Sequence, residues 1–170
     1  MRLFVCGLLL LISSANAIAL QKESTMGGLT LAIKEVKPSG VVTVELNNSS
    51  QKPIRIWGEA NSWGAAHWRV LLIRNGRLNT FFENPDRMFM RNGPGFNEIA
   101  VGGHFERKLD IVGEGWRGPD VQKIRFVRGD VLIVIYDVPN QFAFSEAPIS
   151  VAASKMGVWY GVATAMIVVQ

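Results

Sequence analysis

The chain has 170 residues and a formal net charge of +4. This charge is too mild to predict a nucleic-acid partner. The length is sufficient for one apolar core, so we expect a single domain that folds without help from disulfides.

The N-terminus has the pattern of a secretory signal peptide. Met1 and Arg2 precede the apolar run Leu3–Ile12, and Ala15-Asn16-Ala17 supplies the small residues that a signal peptidase reads. The run is shorter than the about 20 residues that a membrane span needs. We therefore predict a signal at residues 1–17 and a single periplasmic or secreted domain at 18–170, without a transmembrane span. Cys6 is the one cysteine of the chain, so the mature domain has none.

Apolar and polar residues alternate in several segments of the mature chain. The clearest are residues 42–47, 105–111 and 123–126, in which Ile124 and Phe126 alternate with Lys123 and Arg125. A period of two predicts strands with one buried face and one wet face. Residues 131–136 and 158–169 are instead almost continuously apolar, which predicts strands covered on both faces or central strands of a sandwich.

Turn signals separate these segments at short intervals. Asn75-Gly76 is the sharpest, because both residues tolerate the positive φ of a tight hairpin joining Trp68–Ile73 to Leu78–Phe82. Arg128-Gly129-Asp130 is interpreted as a turn that leads into a buried strand. The whole pattern predicts an all-β fold, an immunoglobulin-like antiparallel β-sandwich of about nine short strands. It resembles the broad immunoglobulin-like class of exported domains, but it lacks the cysteine pair of antibody domains.

Catalytic and metal-binding motifs are not recognisable in the mature chain. It offers two histidines, His67 and His104, which we interpret as partly exposed strand residues rather than zinc ligands. Met88 and Met90 are interpreted as packing residues rather than Cu(I) ligands. The Gly-x-Ser-x-Gly motif of many hydrolases does not occur. We therefore expect neither an enzyme nor a cofactor or metal site.

The positive charge of the mature chain is concentrated in one segment, Lys52–Arg91. It holds seven basic and three acidic residues, a local charge of +4, and six of the seven basic residues are arginines. If Arg55, Arg69, Arg74 and Arg77 lie on the polar faces of neighbouring strands, they form a patch for carboxylate or phosphate groups. The alternative is that they are solvated or paired with Glu59, Glu83 and Asp86.

Tryptophans are the second feature of this segment. Alternation predicts that Trp68 lies in the core, whereas Trp57 and Trp63 are candidates for an exposed position beside a polar loop. Exposed indoles can anchor a protein partner or stack on sugars.

These observations predict an exported, non-catalytic binding module whose partner is a protein or an anionic surface or glycan. The residues predicted to contact that partner are Arg55, Trp57, Trp63, Arg69, Arg74 and Arg77. Two other functions stay open. One is a carbohydrate-binding module that uses Trp57, Trp63 or Trp116, and the other is an inhibitor that inserts the loop Phe89–Phe96 into an exported enzyme.

Overall fold

The computed structural model of the chain describes residues 27–58, 67–84, 95–139 and 157–170. The predicted signal peptide, Trp63, Met88 and Met90 lie outside these ranges. The described residues form ten strands and one 3₁₀ helix, Val121–Lys123. The strands are β1 (Leu29–Lys37), β2 (Val41–Asn48), β3 (Ile54–Trp57), β4 (Trp68–Arg74), β5 (Arg77–Glu83), β6 (Phe96–Ile99), β7 (His104–Asp110), β8 (Trp116–Arg117), β9 (Val131–Val138) and β10 (Gly161–Val168).

The strands form two main sheets and one small one. The three-stranded sheet has the order β1-β2-β7, and the five-stranded sheet has the order β10-β9-β4-β5-β8. Strands β3 and β6, which lie between β2 and β7 in the sequence, form a two-stranded sheet. Every pair of strands is antiparallel. The prediction of an all-β sandwich is confirmed, while its immunoglobulin-like character stays a prediction. Within the described ranges, no helix is both long and apolar enough to cross a membrane.

The core is built from the inner faces of both main sheets. Alternate residues of β2 are buried in one cluster with alternate residues of β4 and β9, namely Val42, Val44, Leu46, Trp68, Val70, Leu72, Leu132, Val134 and Tyr136. The prediction that Trp68 is a core residue is confirmed, since it is 1% exposed. Its ring lies 4.6 Å from that of Tyr136, which in turn stacks on Trp159.

One ion pair joins the two main sheets inside this core. Arg107 of β7 donates from Nη2 to Oε1 of Glu83 on β5 at 2.6 Å. The guanidinium of Arg107 also lies 5.2 Å from the ring centre of Trp68. Burial of two opposite charges is tolerated because each compensates the other in a site poor in water. Glu83, expected as a possible partner of the arginine-rich segment, is thus paired with Arg107.

Most of the strands predicted from alternation are present, with one exception. Residues 123–126 were expected in a strand, but the 3₁₀ helix ends at Lys123 and residues 124–127 belong to no strand. The side chains still alternate, with Phe126 buried and Arg125 exposed. Because a docked extended segment buries alternate side chains without pairing its backbone in a ladder, alternation alone does not establish a strand.

The two continuous apolar runs form β9, an interior strand of the five-stranded sheet, and β10, the edge strand beside it. In β9 the inner residues Leu132, Val134 and Tyr136 are buried, whereas Val131, Ile133 and Ile135 on the opposite face are only half-buried. In β10, Val162 and Val168 are 38% and 43% exposed. β9 thus fits the expectation of a central strand, whereas the expectation is wrong for β10, which is an edge strand with one face partly exposed.

Candidate functional site

A tight hairpin places two arginines opposite each other at one end of the five-stranded sheet. Asn75 and Gly76 adopt φ values of 51° and 72°, which confirms the predicted turn. Arg74 at the end of β4 and Arg77 at the start of β5 are therefore direct cross-strand partners. Two like charges at such positions repel each other unless one of them is neutralised.

Asp130 neutralises Arg74. The Arg74 Nε donates to Oδ1 of Asp130 at 2.8 Å, and Nη2 donates to Oδ2 at 2.6 Å. Nη2 also donates to the carbonyl oxygen of Arg125 at 2.5 Å. This two-point contact fixes the guanidinium plane, as is typical of arginine–carboxylate pairs.

A residue close to Asp130 in the sequence also holds its carboxylate in place. Its carboxylate is 1% exposed and accepts a hydrogen bond from the amide of Val127 at 2.9 Å. The hydrogen bond from Arg74 lowers the pKa of Asp130, and the amide of Val127 acts in the same direction against the opposing effect of burial. The pair is therefore charged at neutral pH. The interpretation of Arg128-Gly129-Asp130 as a turn before a buried strand is confirmed, since Gly129 has a φ of 89° and Asp130 is buried.

The segment from Pro119 to Val127 brings two more cations to the same end of the sandwich. Phe126 is buried, and its amide donates to the carbonyl oxygen of Pro38 at 3.2 Å. This anchor and the 3₁₀ helix before it leave the side chains of Lys123 and Arg125 exposed. Sequence alternation had assigned the two cations to the wet face of a strand, whereas they belong to a docked loop.

The β4–β5 hairpin and the Pro119–Val127 segment border two adjoining open hollows, and Arg74 and Asn79 line both of them. The first has a volume of about 470 Å³, and Lys123 and Arg125 line it. The second, of about 490 Å³, is lined by the hairpin itself and includes Arg77. We call the two together the cationic cleft, defined by Arg74, Arg77, Asn79, Lys123 and Arg125.

Three of the four cations around the cleft are not neutralised. Within the described ranges, Arg77, Lys123 and Arg125 make no salt bridge. One acidic residue, the exposed Asp120, also lines the first hollow. The cleft therefore keeps an excess of positive charge and offers arginine donors, which suit carboxylate, phosphate or sulfate groups.

The other predicted contact residues lie elsewhere. Arg55 is on β3, with Nε 3.1 Å from Oε2 of Glu98 and its guanidinium 4.5 Å from the ring centre of Phe96. Arg69 is on the outer face of β4, where it lies 3.3 Å from Asp137. The structure thus brings Arg74 and Arg77 together but separates them from Arg55 and Arg69, so the four do not form one patch.

Two of the three tryptophans predicted to bind sugars are described by the structure, and both are buried. Trp57 is 3% exposed and Trp116 is 6% exposed. A sugar ring stacks on an open indole face, so neither residue supplies a platform in this state. The third candidate, Trp63, lies outside the described residues.

The histidines also differ from expectation. His67 is 8% exposed, and its Nδ1 lies 2.9 Å from the carbonyl oxygen of Asp137, so the interpretation of it as partly exposed is wrong. His104 is exposed at the start of β7. Over residues 27–58, 67–84, 95–139 and 157–170, no three His, Cys, Asp or Glu side chains form a group that could hold a metal ion.

Comparison of the chain with protein-family models, with curated proteins and with solved structures gave no match.

Proposed function

We propose that the chain is an exported, non-catalytic binding module that holds anionic groups of a partner protein or glycan in the cationic cleft. The observation that carries the proposal is the convergence of Arg77, Lys123 and Arg125, none of them salt-bridged within the described residues, on hollows that both contact Arg74, which Asp130 holds in place. Export is proposed from the signal pattern of residues 1–17.

The fixed pair gives the cleft a rigid side. Arg74 is held by three hydrogen bonds, so its position does not have to be organised when an anion binds. Donors that are already ordered lose less entropy on binding. The exposed cations Arg77 and Lys123 then contribute attraction to the partner, because neither makes a salt bridge within the described residues.

The chemistry of the cleft favours binding over catalysis. Its buried carboxylate, Asp130, accepts from Arg74 and from the Val127 amide, and its pKa is lowered. A general base is most effective when its pKa lies near the working pH. Asp130 is therefore suited to hold a guanidinium in place rather than to transfer a proton.

A charge-removal experiment tests this function. The probe is a short sulfated oligosaccharide, with an aspartate oligopeptide as the protein-like anion, and binding is measured by isothermal titration calorimetry. We expect the double variant Arg77→Ser/Lys123→Ser to weaken binding about tenfold or more, since each charge-assisted contact contributes about 1.5–3 kcal/mol at most. Affinity should also fall as salt rises to physiological strength, where screening acts beyond about 8 Å.

The matched control removes two positive charges elsewhere. Lys34→Ser/Lys108→Ser changes the net charge equally on the outer face of the three-stranded sheet, where Lys34 lies beside Glu45. An equal loss of affinity in both double variants would show that only net charge matters and would contradict a site at the cleft. Unchanged affinity in Arg77→Ser/Lys123→Ser would contradict it too.

A further inference from the structure

The outer face of the five-stranded sheet is mainly apolar across four strands, and its polar members are Thr80, Thr164 and the Arg69–Asp137 pair. Strand register places Thr80, Leu71, Ile133 and Met166 in one row across β5, β4, β9 and β10. A second row, nearer the hairpin, consists of Leu78, Ile73, Val131 and Val168. We call these two rows, with Phe82, Ile135 and Val162 beside them, the apolar outer face.

Four of its side chains are exposed, whereas the central ones, Leu71, Ile133 and Met166, are half-buried. Leu78 is 60% exposed, Phe82 40%, Val168 43% and Val162 38%. Isolated exposed apolar residues are ordinary, but a contiguous patch on one sheet face is characteristic of a contact surface. In a sandwich the outward residues of an antiparallel sheet are normally polar.

The charge on this face is balanced within the face itself. Arg69 lies 3.3 Å from Asp137, and both belong to the outward side of the same sheet. Within the four strands a second copy would therefore meet no unpaired charge of like sign, and Arg117 of β8, opposite Phe82 on the same side, lies beyond them at the edge of the sheet. An isologous two-fold interface requires this property, because the same patch must be compatible with itself.

The size of the face fits a weak dimer. Four strands about 4.8 Å apart, with seven or eight residues rising about 3.4 Å each, give a footprint of roughly 450 Å². Two copies would bury about 900 Å², which is below the about 1,000 Å² of stable specific interfaces and in the range of weak, transient ones. Two sheets packed at about −30°, with side chains interdigitated across about 10 Å, provide the geometry.

We propose that two copies of this chain associate through the apolar outer face, sheet against sheet, about a two-fold axis. The central contacts are those of Leu71, Ile133 and Met166. The cationic cleft stays accessible in the dimer, because Arg74, Arg77 and Asn79 alternate with the outward residues and lie on the opposite side of the sheet. The dimer is therefore independent of the anion-binding function.

Analytical ultracentrifugation of the purified exported protein tests the dimer. We expect a monomer–dimer equilibrium that is mostly dimeric at about 100 µM and dissociates on dilution, as suits an interface of this size. Ile133→Lys and Met166→Lys should each raise the dissociation constant at least about 100-fold, because each would bury an unpaired ammonium group in the interface.

Two further variants make the result interpretable. Ala32→Lys places the same charge on β1, in the outer face of the three-stranded sheet, and should dimerise like wild type. Ile133→Thr keeps a β-branched side chain in the strand while it reduces the apolar contact, and should weaken the dimer with little effect on folding. A wild-type chain that is monomeric at about 100 µM would overturn the proposal. So would folded Ile133→Thr and Met166→Lys variants that dimerise as tightly as wild type.

Discussion

The outer faces of the two main sheets are chemically different although their inner faces contribute to one core. Outward residues of the three-stranded sheet include Lys34, Glu45, Glu106 and Lys108, which strand register places on neighbouring strands. At the corresponding positions of the five-stranded sheet lie Leu71, Ile73, Ile133 and Ile135. The first face is polar and suited to contact with solvent. The second is apolar, so its burial against another surface would be favourable.

This difference is visible in the sequence. A strand with one wet face has alternating polarity, as in β2 and β7, whereas β9 and the apolar β10 carry apolar side chains on both faces. An uninterrupted apolar strand therefore indicates two surfaces that favour burial. In this sandwich only the inner one is buried completely in the described residues.

The largest expected effect separates the inner from the outer face of a single strand. Trp68→Ala should destabilise the protein by about 3–5 kcal/mol, because the indole is fully buried against Tyr136. Leu71→Ala, three residues along β4 on the outer face, should cost less than about 1 kcal/mol in the monomer. Urea unfolding at low protein concentration measures both. Similar losses in the two variants would contradict the assignment of faces.

The next effect concerns the ion pair between the sheets. Arg107→Met should lower the free energy of unfolding by about 3 kcal/mol. It removes the guanidinium that lies 2.6 Å from Oε1 of Glu83 and so leaves a buried carboxylate without its cation. The double variant Glu83→Leu/Arg107→Met should recover most of that loss, because an apolar pair has no charge to desolvate. Thermal unfolding of the three proteins forms a double-mutant cycle. A double variant no more stable than Arg107→Met would show that the cost does not come from the orphaned carboxylate.

A smaller effect depends on pH and belongs to the cleft. Because folding lowers the pKa of Asp130, the unfolded chain takes up the proton first as pH falls. The stability that this carboxylate contributes is complete above about pH 4 and decreases below it. Asp130→Asn should therefore be less stable than wild type by about 1.5–3 kcal/mol at neutral pH, and the difference should shrink towards about pH 2.

Urea titrations at a series of pH values decide the point. A constant difference between wild type and Asp130→Asn would contradict the charged pair. Arg74→Lys keeps the charge but loses the two-point contact, so it should lie between the two proteins.

The smallest effect is expected on the charged outer face. Lys34 and Glu45 lie 3.5 Å apart, and the lysine side chain is 51% exposed. Exposed ion pairs contribute about 0–1 kcal/mol, so Lys34→Ala should change the midpoint of urea unfolding very little. A loss comparable to that of Arg107→Met would mean that this face is not a solvated surface.

The parts of the fold that follow from local chemistry were predictable. Alternation located β2 and β7, and Asn75-Gly76 located the β4–β5 hairpin, because strand period and turn φ depend on neighbouring residues. The separation of Arg69 from Arg74 was also readable, since an odd spacing of five residues along a strand puts side chains on opposite faces.

The cationic cleft was only half predictable. Arg74 and Arg77 were among the predicted contact residues, but Lys123, Arg125 and Asp130 were not. Asp130 lies 56 residues beyond Arg74 in the sequence. Such a pair depends on how two distant strands register, and no local pattern of one segment contains that information. Arg55 lies away from the cationic cleft for the same kind of reason, because it is on β3, paired with Glu98 of β6.

Amide chemical-shift mapping by NMR is the most direct test of the proposed function, because it reports on every surface of the protein at once. The isotope-labelled protein is titrated with the sulfated oligosaccharide at low salt. The account predicts shifts that cluster at residues 74–79 and 119–127 and that diminish in Arg77→Ser/Lys123→Ser. Shifts centred on residues 54–57 or on the apolar outer face, or no saturable shifts at all, would contradict an anion site in the cationic cleft.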